Sequence, residues 1–255
     1  MSDTCKKAFE GKTIAVSGAS SGIGQAVAIH LARQGAGLVL IGRNQERLNE
    51  TAQRANAPVC RILELDLSRQ IDIMPAIKDT VATVGRLYGM CHAAGAVETL
   101  PLSATSPEKL LTMLQVNYVG GMELARAVTR RDILNEDGGS ILFISAIYGL
   151  IGKPGQIAYS GSKGAVTAAA RAMAIELARR NIRVNVLSPG IVQTEMTEKA
   201  FAGLSAQQVQ ALRDSHPLGF GSPKDVANAA TFLLSPENNW ITGTNLIVDG
   251  GCSAQ

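Results

Sequence analysis

The sequence predicts an α/β fold: a doubly wound, seven-stranded parallel sheet with helices on both faces, in one domain over residues 1–255. Three observations carry this. Short β-branched runs alternate with helical stretches of roughly 10–15 residues, the rhythm of parallel strands joined by crossover helices. The first run is followed at once by three glycines, Gly18, Gly22 and Gly24, which open an apolar-periodic stretch. No linker, repeat or low-complexity segment breaks the alternation.

Thr13–Ser17 (TIAVS) reads as the first buried strand. After the glycines, Ala26–Leu31 is helical and stops at Gly35, placed as a C-cap. Leu38–Ile41 is the second strand, and Gln45–Asn56 is a polar helix with Pro58 beyond it. Arg61–Leu65, Ile71–Val84 and Leu87–Cys91 continue as strand, helix and strand. Lys109–Arg131 reads as one long helix, and Ser140–Ser145 (SILFIS) as a strand leaving the turn Asn135–Gly139. Tyr159–Arg180 is a second long helix, rich in alanine. Arg183–Leu187 is a strand, Pro223–Leu234 a helix and Asn245–Val248 the last strand. The polar stretch 194–220 follows a strand, the place for a lid over a ligand site.

Composition narrows the function. With 46% hydrophobic residues the chain can bury a sizeable core. A net charge of +3, from 24 basic and 21 acidic residues, with 4% aromatics and no basic run, argues against a nucleic-acid surface. Cys5, Cys60, Cys91 and Cys252 form no C-x-x-C pair and stand at no metal-ligand spacing from a histidine. His92 adjoins Cys91, but neighbours on a strand face opposite ways. Free thiols, no metal and a cytoplasmic setting are expected. The residues Met1–Lys7 do not read as a signal peptide, and no apolar run is long enough for a membrane span.

The glycines have the spacing G-x-x-x-G-x-G. They allow a tight turn and close backbone approach, and the helix that follows aims free N–H groups at a pyrophosphate. Ser20 and Ser21 add hydroxyl donors. A dinucleotide ribose is usually held by an acid about 20 residues downstream. Here the second strand ends at Ile41-Gly42-Arg43-Asn44. A guanidinium can pair with a 2′-phosphate, which a carboxylate would repel. NADP(H) is therefore expected over NAD(H).

Tyr159 and Lys163, in Tyr-Ser-Gly-Ser-Lys, are four residues apart and share one helix face. An ammonium beside a phenol favours the phenolate, and a phenol so tuned can exchange a proton with a substrate oxygen.

Together these segments resemble the short-chain dehydrogenase/reductase family in its single-domain form, most like bacterial 3-oxoacyl-carrier-protein reductases. The resemblance rests on Ser17–Gly24 (SGASSGIG), Leu65-Asp66-Leu67, Ala94-Gly95, Asn117, Tyr159–Lys163, Asn185–Met196 (NVLSPGIVQTEM) and Gly243–Gly251 (GTNLIVDGG). It implies a Rossmann-like sheet and hydride transfer to or from a carbonyl carbon. In that scheme Tyr159 is the general acid, and Lys163 holds the nicotinamide ribose and depresses the tyrosine pKa. Asn117 binds a water linking the lysine to solvent. Ile23 joins the glycine turn in the cofactor set, Asp66 and Leu67 hold the adenine, and Ala94 and Gly95 let the backbone pass close. Pro189, Gly190, Ile191, Val192 and Thr194 line the nicotinamide and phosphate side. The substrate is a small carbonyl compound or alcohol, and the chain is expected to form a homotetramer or dimer.

The sequence departs from the family in two places. The serine expected thirteen residues before Tyr159 is Ala146, and Ser145 lies one residue earlier. A strand bulge could bring Ser145 to the site, Tyr148 could serve instead, or turnover could be weak. The weak-turnover case keeps a second function open, an NADP-binding sensor or partner subunit. The other departure is His92-Ala93, where the family has two asparagines; His92 is expected to be a satisfied strand-end residue. Lys153 and Arg213 could draw an anionic substrate, although two solvated side chains are the plainer expectation.

Overall fold

The computed structural model describes residues 7–254; Cys5 and the start of the chain lie outside them. The strands are β1 Thr13–Ser17, β2 Gly37–Gly42, β3 Cys60–Glu64, β4 Gly89–His92, β5 Gly139–Ile144, β6 Ile182–Pro189 and β7 Asn245–Val248. They form one sheet in the order β3-β2-β1-β4-β5-β6-β7, with every pairing parallel. The order reverses between β1 and β4. In open α/β sheets a ligand crevice forms outside the carboxyl ends of the strands at such a point.

Helices cover both faces: α1 Gly22–Arg33, α2 Gln45–Ala55, α3 Gln70–Val84, α4 Pro107–Leu114, α5 Gly120–Val128, α6 Ile157–Leu177, α7 Glu195–Phe201, α8 Ala206–Asp214 and α9 Pro223–Leu234. Strand alternation divides the core in two. Ile14, Val16, Leu142 and Ile144 pack with α1 and α9, through residues such as Val27, Leu31, Val226 and Ala230. Ala15, Ile141 and Phe143 pack with α3, α5 and α6, through Ile77, Leu124, Val166 and Ala170. Each buried large aliphatic contributes about 1.5–3 kcal/mol. A one-residue slip of β5 would turn its own residues in both sets to the wrong side, so register is strongly specified.

Two sequence expectations change. The long helix expected over Lys109–Arg131 is three pieces on one path. α4 begins earlier, where Ser106 caps it and Pro107 takes the first position. A π turn, Gln115–Val119, then widens the helix before α5. The polar stretch 194–220 is also built. Thr194 caps α7, and Ser205 and Gln208 form a capping box on α8. No helix among the described residues is long and apolar enough to cross a membrane.

Candidate active site

The crevice begins at the turn from β1 to α1. Gly18 and Gly22 have φ of 70° and 53°, values that side chains other than glycine's rarely adopt. A Cβ on Gly18 would lie 2.7 Å from the Ala94 nitrogen, and one on Gly24 would lie 2.3 Å from the Gly18 carbonyl oxygen. The turn therefore closes against the strand end that carries Ala94 and Gly95. Ser21 precedes α1 but places no side chain on its free N–H groups, which stay available to a phosphate. Thr194 stands over Gly22, its Cγ2 3.3 Å from where a Cβ would be, and so closes the turn from the β6 side. A glycine cradle, an open helix start and a threonine roof fit a dinucleotide pyrophosphate.

Arg43 is exposed at the end of β2 and has no acidic partner among the described ion pairs. Arg47, one turn on, is instead paired with Glu195 of α7. Asp66 accepts a hydrogen bond from the Ser68 N–H at 2.9 Å, which with nearby Arg43 holds its carboxyl below the usual range.

Tyr159 and Lys163 meet as their spacing implies, with the Lys163 Nζ 5.8 Å from the phenol ring centre. Lys163 is buried and donates to the Ile144 carbonyl at 2.9 Å. Their protonation differs from expectation. Burial lowers Lys163 to about 8. Burial, followed by the neighbouring Tyr148, raises the Tyr159 phenol above its ordinary value. In the chain alone, desolvation outweighs any pull of the ammonium on the phenol.

Asn117 is fully buried in the π turn. Its Oδ1 accepts from the Ala96 N–H at 2.7 Å, and its Nδ2 donates to the Ala96 carbonyl and the Ser162 hydroxyl, each at 2.9 Å. The side chain clamps the loop after β4 onto the helix that carries Tyr159. Gly95 makes this approach possible: a Cβ there would lie 3.1 Å from Asn117 Oδ1 and 3.4 Å from Lys163 Nζ.

Ser145 does not bulge into the site. Its N–H continues the ladder to the Leu187 carbonyl at 2.8 Å, and Ala146 is extended, with φ −161° and ψ 156°. Alternation therefore puts Ser145 on the face of Ile141 and Phe143. There its hydroxyl donates to the Lys163 carbonyl at 3.0 Å and meets Thr167 Oγ1 at 3.2 Å. Ala146 lines a cleft of about 750 Å³, counted to its open mouth, which Ser145, Tyr148, Lys153, Gln156, Tyr159 and Met196 also border. Ile23, Pro189, Gly190, Ile191, Val192 and Thr194 line the same cleft, so the residues expected toward a cofactor and those around Ala146 share one space.

His92 is buried at the end of β4. Ala94 N–H donates to Ser17 Oγ at 3.3 Å, and Ser17 Oγ and His92 Nδ1 are hydrogen-bonded at 2.8 Å. Burial, followed by the nearby Lys163 charge, lowers the imidazole to about 3, and the Asn117 backbone acts the other way. Sequence reasoning missed His216. Buried under the β6 loop, its Nε2 accepts the Ile191 N–H at 3.2 Å, which leaves Nδ1–H to donate to the Leu212 carbonyl at 2.9 Å. A histidine in a polar stretch gave no signal of that contact. Among the described residues no cluster of three His, Cys, Asp or Glu could hold a metal.

Known proteins match this arrangement over almost the whole chain. A family profile described as "Enoyl-(Acyl carrier protein) reductase" matches residues 18–253. The 3-oxoacyl-[acyl-carrier-protein] reductase of Bos taurus is 36% identical over 94% of this chain and 97% of its own. Carbonyl reductase family member 4 of Danio rerio is 38% identical over 92% of this chain and 95% of its own. A short-chain type dehydrogenase/reductase structure from Mycobacterium ulcerans superposes with a TM-score of 0.90 at 30% identity, covering 97% of this chain and 91% of that one. With its parallel sheet, glycine turn and Tyr159–Lys163 pair, the chain belongs to the short-chain dehydrogenase/reductase family of oxidoreductases.

Proposed function

We propose that this oxidoreductase reduces a small-molecule ketone to an alcohol with NADPH. The observation that supports it most is Tyr159 standing beside the buried Lys163 on the wall of a cleft that Ile23 of the glycine turn also lines. A general acid for reduction must hold its proton until the substrate oxygen becomes basic. The raised Tyr159 pKa provides that, and Lys163 at about 8 can return a proton near neutral pH. NADPH, when bound, supplies the hydride. Gly18, Gly22 and Gly24 would hold its pyrophosphate and Arg43 its 2′-phosphate. Asn117 keeps the Ala96 loop and α6 in register, so Tyr159 faces the carbonyl in a fixed pose. Loss of NADPH absorbance against a panel of ketones and 3-oxoacyl thioesters tests the reaction. Tyr159→Phe is expected to lower kcat by about 10²–10⁴-fold. Arg43→Ala should weaken NADPH binding by about tenfold or more while leaving NADH unchanged; equal loss for both cofactors contradicts the 2′-phosphate assignment.

One observation favours a second reading, an NADP-binding sensor or partner subunit with little turnover. Ser145 and Ala146 both border the cleft, but the Ser145 hydroxyl is held by the Lys163 carbonyl and Thr167, and Ala146 offers no hydroxyl. Tight NADPH binding with no oxidation by any carbonyl would select that reading. The cysteine usage supports a cytoplasmic setting, and the exposed faces of α4 and α6, with the β7 edge, support a homotetramer.

A further inference from the structure

We propose that the Tyr148 hydroxyl, held by Lys153, is the second hydrogen-bond donor to the substrate carbonyl oxygen and takes the place of the serine replaced by Ala146. This rests on the carbonyl-reductase reading above. The two side chains are not an ordinary surface pair. Both are part-buried, and both line the cleft that Ala146 and Tyr159 border. Lys153 Nζ donates to Tyr148 Oη at 3.0 Å, and lies 4.6 Å from the centre of its ring. Lys153 has no carboxylate partner among the described ion pairs.

Donor accounting gives the direction. An ammonium has protons and no lone pair, so it must donate to the phenol oxygen. That uses an acceptor site of Tyr148 and leaves its O–H to give. No acceptor for that O–H occurs among the described hydrogen bonds. Burial also raises the Tyr148 phenol to about 12, so the proton is present at neutral pH. An ammonium hydrogen-bonded to the oxygen polarises the O–H and makes it a stronger donor. Tyr148 is close enough to Tyr159 that a charge on one disfavours a charge on the other. One phenol then transfers its proton to the developing alkoxide while the other donates a hydrogen bond to the same oxygen and keeps its proton.

Tyr148→Phe keeps the ring and removes only the hydroxyl. It is expected to lower kcat by about tenfold to a hundredfold, at or below the low end of the range for loss of one oxyanion donor, with NADPH affinity and melting temperature unchanged. Ala146→Ser should change the wild type less than about twofold and restore most of the loss in Tyr148→Phe, because both hydroxyls serve one oxygen. A second readout does not need turnover. Calorimetric binding of a 3-oxoacyl N-acetylcysteamine thioester to the complex with NADP⁺ should weaken at least fivefold in Tyr148→Phe. Equal ketone affinity in the two proteins, or an Ala146→Ser that accelerates wild type and fails to rescue Tyr148→Phe, overturns the assignment. Failure of wild type to oxidise NADPH with any carbonyl, while Tyr148→Phe still weakens ketone binding, counts against the reductase reading and leaves the donor supported.

Discussion

Lys163 is held in the folded chain at a cost. Its pKa falls from 10.5 to about 8 on burial. Between those values the unfolded state binds more protons, so stability rises with pH across that window. At pH 7 the buried ammonium costs about 3 kcal/mol, partly offset by its bond to the Ile144 carbonyl. Lys163→Met should therefore raise the melting temperature at pH 7 by several degrees, equivalent to about 1–2 kcal/mol, while abolishing turnover. The gain should shrink toward pH 10.5; a variant no more stable than wild type at pH 7 contradicts the cost. His92 acts in the acid range. Its pKa drops from 6.5 to about 3, so the unfolded state binds the extra proton as pH falls below 6.5. Stability should then fall by up to about 1.4 kcal/mol per pH unit. His92→Asn removes that proton. Urea unfolding at pH 7 and pH 5 should show wild type losing about 2 kcal/mol more than the variant. Equal losses would mean that His92 is not buried neutral.

At the scale of elements, the β1–α1 turn and α6 each contain a glycine, with opposite consequences. A Cβ on Gly24 would meet Gly18 backbone at 2.3 Å, and backbone cannot swing aside. Gly24→Ala should destabilise by about 1–3 kcal/mol and abolish NADPH binding. Gly161, inside α6, has open space where its Cβ would stand. Gly161→Ala should stabilise by about 0.5–1 kcal/mol through helix propensity alone. Denaturation midpoints that move the same way for both would contradict this contrast. Such elements were legible because they rest on local chemistry. The turn was written in Gly18, Gly22 and Gly24, and β1, α9 and β7 in strand and helix periods with clear ends. The direction of Ser145 was only half legible: a regular strand turns it away from the face of Ala146, but a bulge at the strand end would reverse it, and the sequence did not decide between them. The π turn at Asn117 was not, because neighbouring helix and loop set it, through contacts such as Gly120 against Leu67. Nor was the raised Tyr159 pKa. Spacing shows that an ammonium is near, but only the folded surroundings show that burial exceeds its pull.

The whole molecule leaves apolar surface that its own sheet does not cover. On α6, Val166, Ala170 and Ala174 face the sheet and belong to the chain's own core. Ala168, Ala172 and Ile175 are exposed, as is Leu111 on α4. At the far edge β7 has an unpaired side, with Ile247 43% and Trp240 97% exposed. An open strand edge beside large apolar residues invites pairing with another copy. A tetramer built on the α4–α6 face and the β7 edge would cover both. Trp240 is the one tryptophan in the chain, so it reports on the β7 edge without labelling. If that edge is an interface, indole emission is blue-shifted at micromolar concentration and moves to the red on dilution, in step with a fall in sedimentation coefficient. Leu111→Glu or Ile175→Glu should halve the assembly and leave the emission blue, because in such a tetramer these residues would belong to the other interface. A monomer by sedimentation with fully red emission at every concentration would overturn the assembly. Red emission in a species that still sediments as a dimer would keep the α4–α6 contact and remove the β7 one.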